Sequence, residues 1–187
     1  DGRNNYASPG LAIVDYTAHI VRFDHALNDN HRFYISCTYM DNPFDNGKLF
    51  DNNATGYLGH FSQRSASFDD ALTVRPDLIL NLRYNLNRFL NTPAPYSKGF
   101  DLGALGIAAS LVNQLNPSMT TLPQLVIDGY TTLGGGGYSN TASTNHTIAG
   151  SATHLRGNHS LRFGGELRVL QENAVNYGNL SPQYLSL

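Results

Sequence analysis

Seven histidines, an adjacent Asp69 and Asp70, a single cysteine and four glycines in a row at 134–137 are the residues whose types could do chemistry. Imidazoles bind metals and carry protons, paired carboxylates serve as general acid and base, a thiolate attacks electrophiles, and glycine-rich loops cradle phosphates. Spacing decides against each. His19, His25 and His31 lie six apart, which along a strand separates neighbours by about 20 Å, too far for shared ligation. His154 and His159 flank a turn and could meet across it. Imidazole rings at the rim of a sheet are the simpler account of all seven, because an amphipathic ring suits an interface. Asp69 and Asp70 are neighbours on a strand and point to opposite faces, so they cannot act jointly. The glycine run lacks the Lys-Ser/Thr of a phosphate loop, and no HExxH or GxSxG is present. Cys37 has no partner for an internal disulfide and no CxxC context, and reads as a buried or lipid-facing thiol. The sequence thus predicts no catalytic residue, no metal site, no cofactor and no enzyme. Acceptor patterns at Asn53, Asn145 and Asn158 match N-glycosylation and are assigned no function.

The elements are more informative. With 41% hydrophobic and 14% charged residues over 187 positions, the deficit of charge is made up by Asn, Ser, Thr, Gly and Tyr, a palette for strands and turns. The net charge of -2 and the scattered basic residues offer nothing to nucleic acid. The longest apolar stretch, from Leu102, is too short for a membrane helix, which needs about 20 residues. A barrel is then the remaining way to span a bilayer. The opening "DGRNNYASPG" lacks an initiator Met and a signal sequence, and suggests a mature or internal fragment.

Alternation defines three hairpins. "YTAHIVRFDHALNDNHRFYISCTYM" turns at "LNDN" within about 16–40, the segment 66–89 turns at "RPDL", and the segment 143–172 turns at "RGNH". Leu80, Leu82, Tyr84 and Leu86 against Asn81, Arg83, Asn85 and Asn87 give the cleanest period of two. Residues 41–64 and 91–142 read as long loops, the second containing a short helix, "DLGALGIAASLVNQL", with Asp101 at its N-cap. Connections of about 25 and about 50 residues far exceed the usual 2 to 6. Short turns at one end and long loops at the other are the layout of an outer-membrane barrel. The predicted fold is all-β: an antiparallel up-and-down transmembrane β-barrel segment of about six strands with long loops and one short helix.

In that frame Arg22, Arg32, Asn81, Arg83, Asn85, Arg162, Glu166 and Arg168 face the lumen, and Lys48 and Lys98 fall in external loops. Asp70 would share the lipid face with Phe68 and Leu72, near a rim or at a bulge. Tyr16, Phe33 and Tyr39 lie near strand ends, as an aromatic girdle requires. Phe44, Tyr57, Tyr96, Tyr130 and Tyr138 could contact a ligand from outside, or pack the loops on one another.

Four pieces, "FDHALNDNHRFYI", "GFDLGALGIAASLVNQL", "GYTTLG" and "LRGNHSLRFGGELRVLQEN", together resemble the Oar-like, carboxypeptidase-regulatory-type branch of TonB-dependent outer-membrane receptors, from about Tyr16 to Asn173. The resemblance implies a barrel of about 22 strands with an N-terminal plug, located in the bacterial outer membrane and taking up an external ligand with energy delivered by the TonB complex. Some members of that branch serve adhesion or secretion. Residues 1–187 would form part of such a barrel, with the plug absent and the remaining strands, the plug and membrane lipid as partners. The alternative is a water-soluble β-sandwich that binds a carbohydrate or protein through its loops.

Overall fold

The computed structural model describes residues 7–8 and 10–185. Six long strands dominate: β1 (Thr17–Asn28), β2 (His31–Asp45), β3 (Tyr57–Arg75), β4 (Leu78–Asn91), β5 (Ser139–Arg156) and β6 (His159–Asn176). Each pairs antiparallel with its sequence neighbour, giving one up-and-down sheet. β1 and β6 are its edges and are not paired with each other. The only other sheet among the described residues is a parallel pair of three-residue strands, 124–126 with 183–185, too small to be the second layer of the sandwich considered as the alternative.

Two-residue turns join the hairpins at Asp29–Asn30, Pro76–Asp77 and Gly157–Asn158. Asn28 Oδ1 accepts from the Asn30 N–H at 2.9 Å, closing the first beside a bulge. Gly157 has φ 59°, a left-handed conformation that a side chain at this tip would strain. All three turns lie at one end.

The strands outrun their alternation. Residues 41–45 and 57–64, expected in a loop, continue the β2–β3 ladder, with Asp41 opposite Ser62 and Asp45 opposite Leu58. Only 46–56 connect the two strands, and the second long connection shortens to 92–138. In these outer segments the ladder is held by backbone hydrogen bonds while neither face meets a uniform environment, so no period of two is written there. The expected helix also divides. A 3₁₀ turn at Leu102–Leu105 is separated from a helical turn at Ala109–Val112 by Gly106, at φ 75°. Asp101 does serve as N-cap, accepting from the Gly103 N–H at 2.9 Å.

Apart from Phe44 and Gly59, the six long strands carry none of the buried core among the described residues. Leu102 and Tyr138, with Pro95, Ser97, Thr120, Thr121 and Pro123, are the buried residues of the 92–138 connection. The residues 124–126 and 183–185 pair in parallel, and the Thr121 hydroxyl donates to the Gly135 carbonyl at 3.1 Å. The Gly134 N–H donates to the Ala54 carbonyl, tying the two long connections into one roof. By contrast β1 and β6 are exposed along their whole length. An apolar sheet face of this extent in water would be a liability.

Candidate functional site

Directly opposed residues share a face, and the register sorts the sheet into two faces of different chemistry. One face carries the row Ile35, Phe68, Tyr84, Ile148 and Leu167, with Leu82 and Phe163 among its neighbours. The other carries Arg22, Ser36, Ser67, Asn85, Thr147 and Arg168 in a single row. By register Arg22, Arg32, Asn81, Arg83, Asn85, Arg162, Glu166 and Arg168, the residues expected to face a lumen, all lie on this second face.

Going from one hairpin to the next, the turn end descends by two residues relative to the cross-strand rows: the strands begin at His31, Leu78 and His159. Two residues of rise over two strand spacings give a tilt of about 35°, within the range of transmembrane barrels. The apolar face holds five successive rows before it meets Tyr39, Arg64, Arg88, Thr144 and Gln171. At that tilt five rows span about 27 Å, close to the roughly 25 Å apolar belt of an outer-membrane barrel.

The residues singled out for chemistry fall into place around this belt. All seven histidines lie on the apolar face by register: His25, His31, His154 and His159 toward the short turns, and His19, His60 and His146 toward the roof. His154 is opposite Leu161, not His159, and its Nε2 lies 3.1 Å from Asp77 Oδ2 in the neighbouring turn. Asp69 and Asp70 point apart. Asp70 Oδ1 is 2.7 Å from His31 Nε2 on the apolar face, and Asp69 Oδ2 accepts from Arg83 Nε at 2.6 Å on the polar one. Asp70 lies in the middle row of the belt, opposite Leu82, and not near a rim; the His31 pairing explains how a carboxylate is carried there. Cys37 is exposed on the apolar face. Among the described residues no three His, Cys, Asp or Glu gather as a metal site.

On the polar face, charge is concentrated near the short turns. Arg22 donates to both carboxylate oxygens of Asp24, at 2.8 and 2.7 Å, and its guanidinium lies 3.9 Å over the Tyr34 ring. Arg168 donates to Glu166 at 2.7 Å. Toward the roof the same face turns to Ser, Thr and Asn and ends in a ladder of Phe44, Phe61 and Phe89, with centroids 4.7 and 6.1 Å apart. Asp24, Tyr34 and Asp69, the partners of the arginines, were missed as site residues. Arg22 and Asp24 are legible as i, i+2 neighbours on a strand, but the Asp69–Arg83 pair requires the β3–β4 register.

The five loop aromatics separate. Phe44 and Tyr138 are buried, the latter stacked on Tyr177 at 4.6 Å, so both pack protein on protein. Tyr57 begins β3 opposite Pro95. Tyr96 lies under Lys48 Nζ at 4.5 Å and lines an open depression of about 610 Å³ with Asp45, Lys48 and Leu49. Tyr130 is 72% exposed and is the one of the five that projects freely.

Beyond the belt, the Tyr96 hydroxyl donates to Asp45 and, with the Gly47 N–H, holds that carboxyl below its usual range, while the same bond raises the Tyr96 hydroxyl above its ordinary value. The depressed carboxyl stabilises the roof fully above the unfolded value and loses that contribution as pH falls through the folded one. The raised phenol contributes below its unfolded value and is lost as pH rises through the folded one. The contact is therefore complete between about pH 4 and about pH 10. Amide exchange at Gly47, corrected for intrinsic rates, is expected to accelerate below that window, and Tyr96→Phe to move the onset upward in pH. An unchanged onset in the variant would mean that Tyr96 does not hold the carboxylate.

A family model described as an outer membrane beta barrel domain matches residues 1–184. No curated protein and no solved structure matched the chain.

Proposed function

The chain belongs to the outer membrane beta barrel domain family, and from that premise we propose that it forms wall and extracellular loops of a TonB-dependent receptor of the Oar-like branch. Its place is the bacterial outer membrane, with its apolar face in contact with membrane lipid. The observation that carries the reading is the opposition of the two ends: two-residue turns at one, and at the other a roof with its own buried core. Gly59, Phe44 and Tyr57 belong to the polar face, and a side-chain carbon at Gly59 would meet Phe44 and the backbone of 92–93. A roof held this close to the inner wall is suited to capturing a solute outside and handing it to the lumen.

The open edges at β1 and β6 support a larger assembly. A lipid-exposed strand edge leaves backbone donors and acceptors without partners, so further strands must pair there for a barrel to close. In the proposed receptor those strands and a plug complete the barrel, the TonB complex supplies energy through the plug, and the roof binds an external ligand. This reading gives the chain no reaction to catalyse.

The TonB assignment is tested by photo-crosslinking in intact cells, from the C-terminal domain of TonB to the full-length protein. A crosslinked product is expected. Its absence, in cells where an established receptor crosslinks, would overturn the assignment while leaving the barrel itself intact.

A further inference from the structure

The polar face contains a trough whose floor is a single row of the sheet. Ala26, Arg32, Ala71, Asn81, Ser151 and Gly164 are opposed across the six strands, and four of them are Ala, Ser or Gly. Small side chains in one row, between a row of charges toward the roof and the turns on the other side, leave a channel. Two contiguous cavities, of about 450 and about 330 Å³, occupy it and share Asp69 and Asn81 as walls.

The charges around the trough do not balance. Arg22, Arg83 and Arg168 are each committed to a carboxylate, Asp24, Asp69 and Glu166 respectively. Arg32 and Arg162 have none among the described residues. Arg32 stands between Ala26 and Ala71, and among the described residues it has no hydrogen-bond partner; it lines the larger cavity. Arg162 reaches only the Ser151 hydroxyl, at a long 3.4 Å, and lines the smaller one. Five arginines thus face three carboxylates, a surplus of two positive charges in one band. Glu172, the remaining acid of this face, lies six residues further along β6 toward the roof. Guanidinium groups without a carboxylate, with a side-chain amide at Asn81 between them, match planar oxyanions in geometry as well as in charge.

We propose that this trough is an anion-binding site at the short-turn end of the lumen, taking a solute that bears phosphate or carboxylate groups. Arg32 and Arg162 bind the anionic groups, and Asn81 offers its amide between them. About 19 Å of sheet separates the two arginines, so an elongated solute with two anionic groups is held better than a single small ion. The inference rests on the reading of the polar face as a lumen.

The test uses the full-length protein purified from outer membranes into detergent, titrated calorimetrically with inorganic phosphate and with citrate. Saturable binding that weakens as salt rises is expected. Heat release with phosphate alone would assign phosphate groups to the solute, and with citrate alone carboxylates. Arg32→Gln combined with Arg162→Gln is expected to weaken binding by about tenfold or more, while Lys98→Gln, in the roof, leaves it unchanged. Variants are compared only where they keep the heat-modifiable migration of a folded barrel. No saturable binding of either anion, or equal affinity in the double variant, overturns the proposal. Labelling with a water-soluble maleimide in a Cys37→Ser background separates the two layers of the argument. If Leu82→Cys reacts and Asn81→Cys does not, the lumen reading itself is wrong; the reverse pattern with no anion bound removes the trough alone.

Discussion

Leu82→Arg is expected to abolish assembly of the full-length protein into the outer membrane, whereas Asn85→Arg, three residues further along the same strand, assembles at the normal level. Leu82 occupies the middle of the five apolar rows, opposite Asp70 on one side and Gly150 on the other. A guanidinium there has water at neither end of its reach, and an arginine at the midplane of a barrel costs about 2–4 kcal/mol. That is a large part of the roughly 5–15 kcal/mol by which a folded protein exceeds its unfolded state. Asn85 lies between Ser67 and Thr147 on the polar face, in the row that already carries Arg22 and Arg168. An added charge there stays in water. The measurement is the heat-modifiable band in the outer-membrane fraction, and equal amounts from the two variants would contradict the assignment of faces.

The second large effect concerns the roof. Leu102 is 1% exposed, the largest fully buried side chain among the described residues, and sits in the 3₁₀ turn that Asp101 caps. Truncating a buried Leu to Ala typically costs about 2–5 kcal/mol, and a small loop core has few other apolar contacts with which to compensate. Leu102→Ala should therefore open the 92–138 connection to protease added to intact cells while the amount of assembled barrel stays constant. Separation of the two effects is the informative part. Protection equal to the parent would mean that the roof is held by its hydrogen bonds, such as those joining Thr121 to Ser181 and Gly135, and not by Leu102.

The wall was legible in the sequence because a bilayer imposes one rule on every strand that crosses it. Leu80, Leu82 and Leu86 must alternate with Asn81, Arg83 and Asn85, since lipid lies on one side and water on the other, and the three turns carry Asn, Asp, Pro or Gly for backbone reasons. Above Tyr39 that rule lapses. Asp41, Asn42 and Ser62 are polar on both faces of the ladder, so the extension of β2 and β3 left no period of two in the side chains. The roof was hidden for a different reason. Its contacts join residues far apart in sequence, Ala54 to Gly134 and Thr121 to Ser181, and no local pattern encodes them. Of the site, the arginines were readable from alternation, but the facts that Asp69 neutralises Arg83 and that Arg32 stands between two alanines depend on register.

The same separation of contacts sets a sequence of events in time. Each hairpin of the wall closes through a two-residue turn, a step that for an isolated hairpin takes about 1–10 μs. The roof instead joins residues 60 apart, and loop-closure entropy must be met before those contacts form. Insertion of the wall should thus precede closure of the roof, leaving a stage at which strands already span the membrane while the outer mouth is still open. A chain arrested at that stage would expose the 92–138 segment to the surroundings of the cell, and surface antibodies raised against it would report how long the mouth stays unsealed.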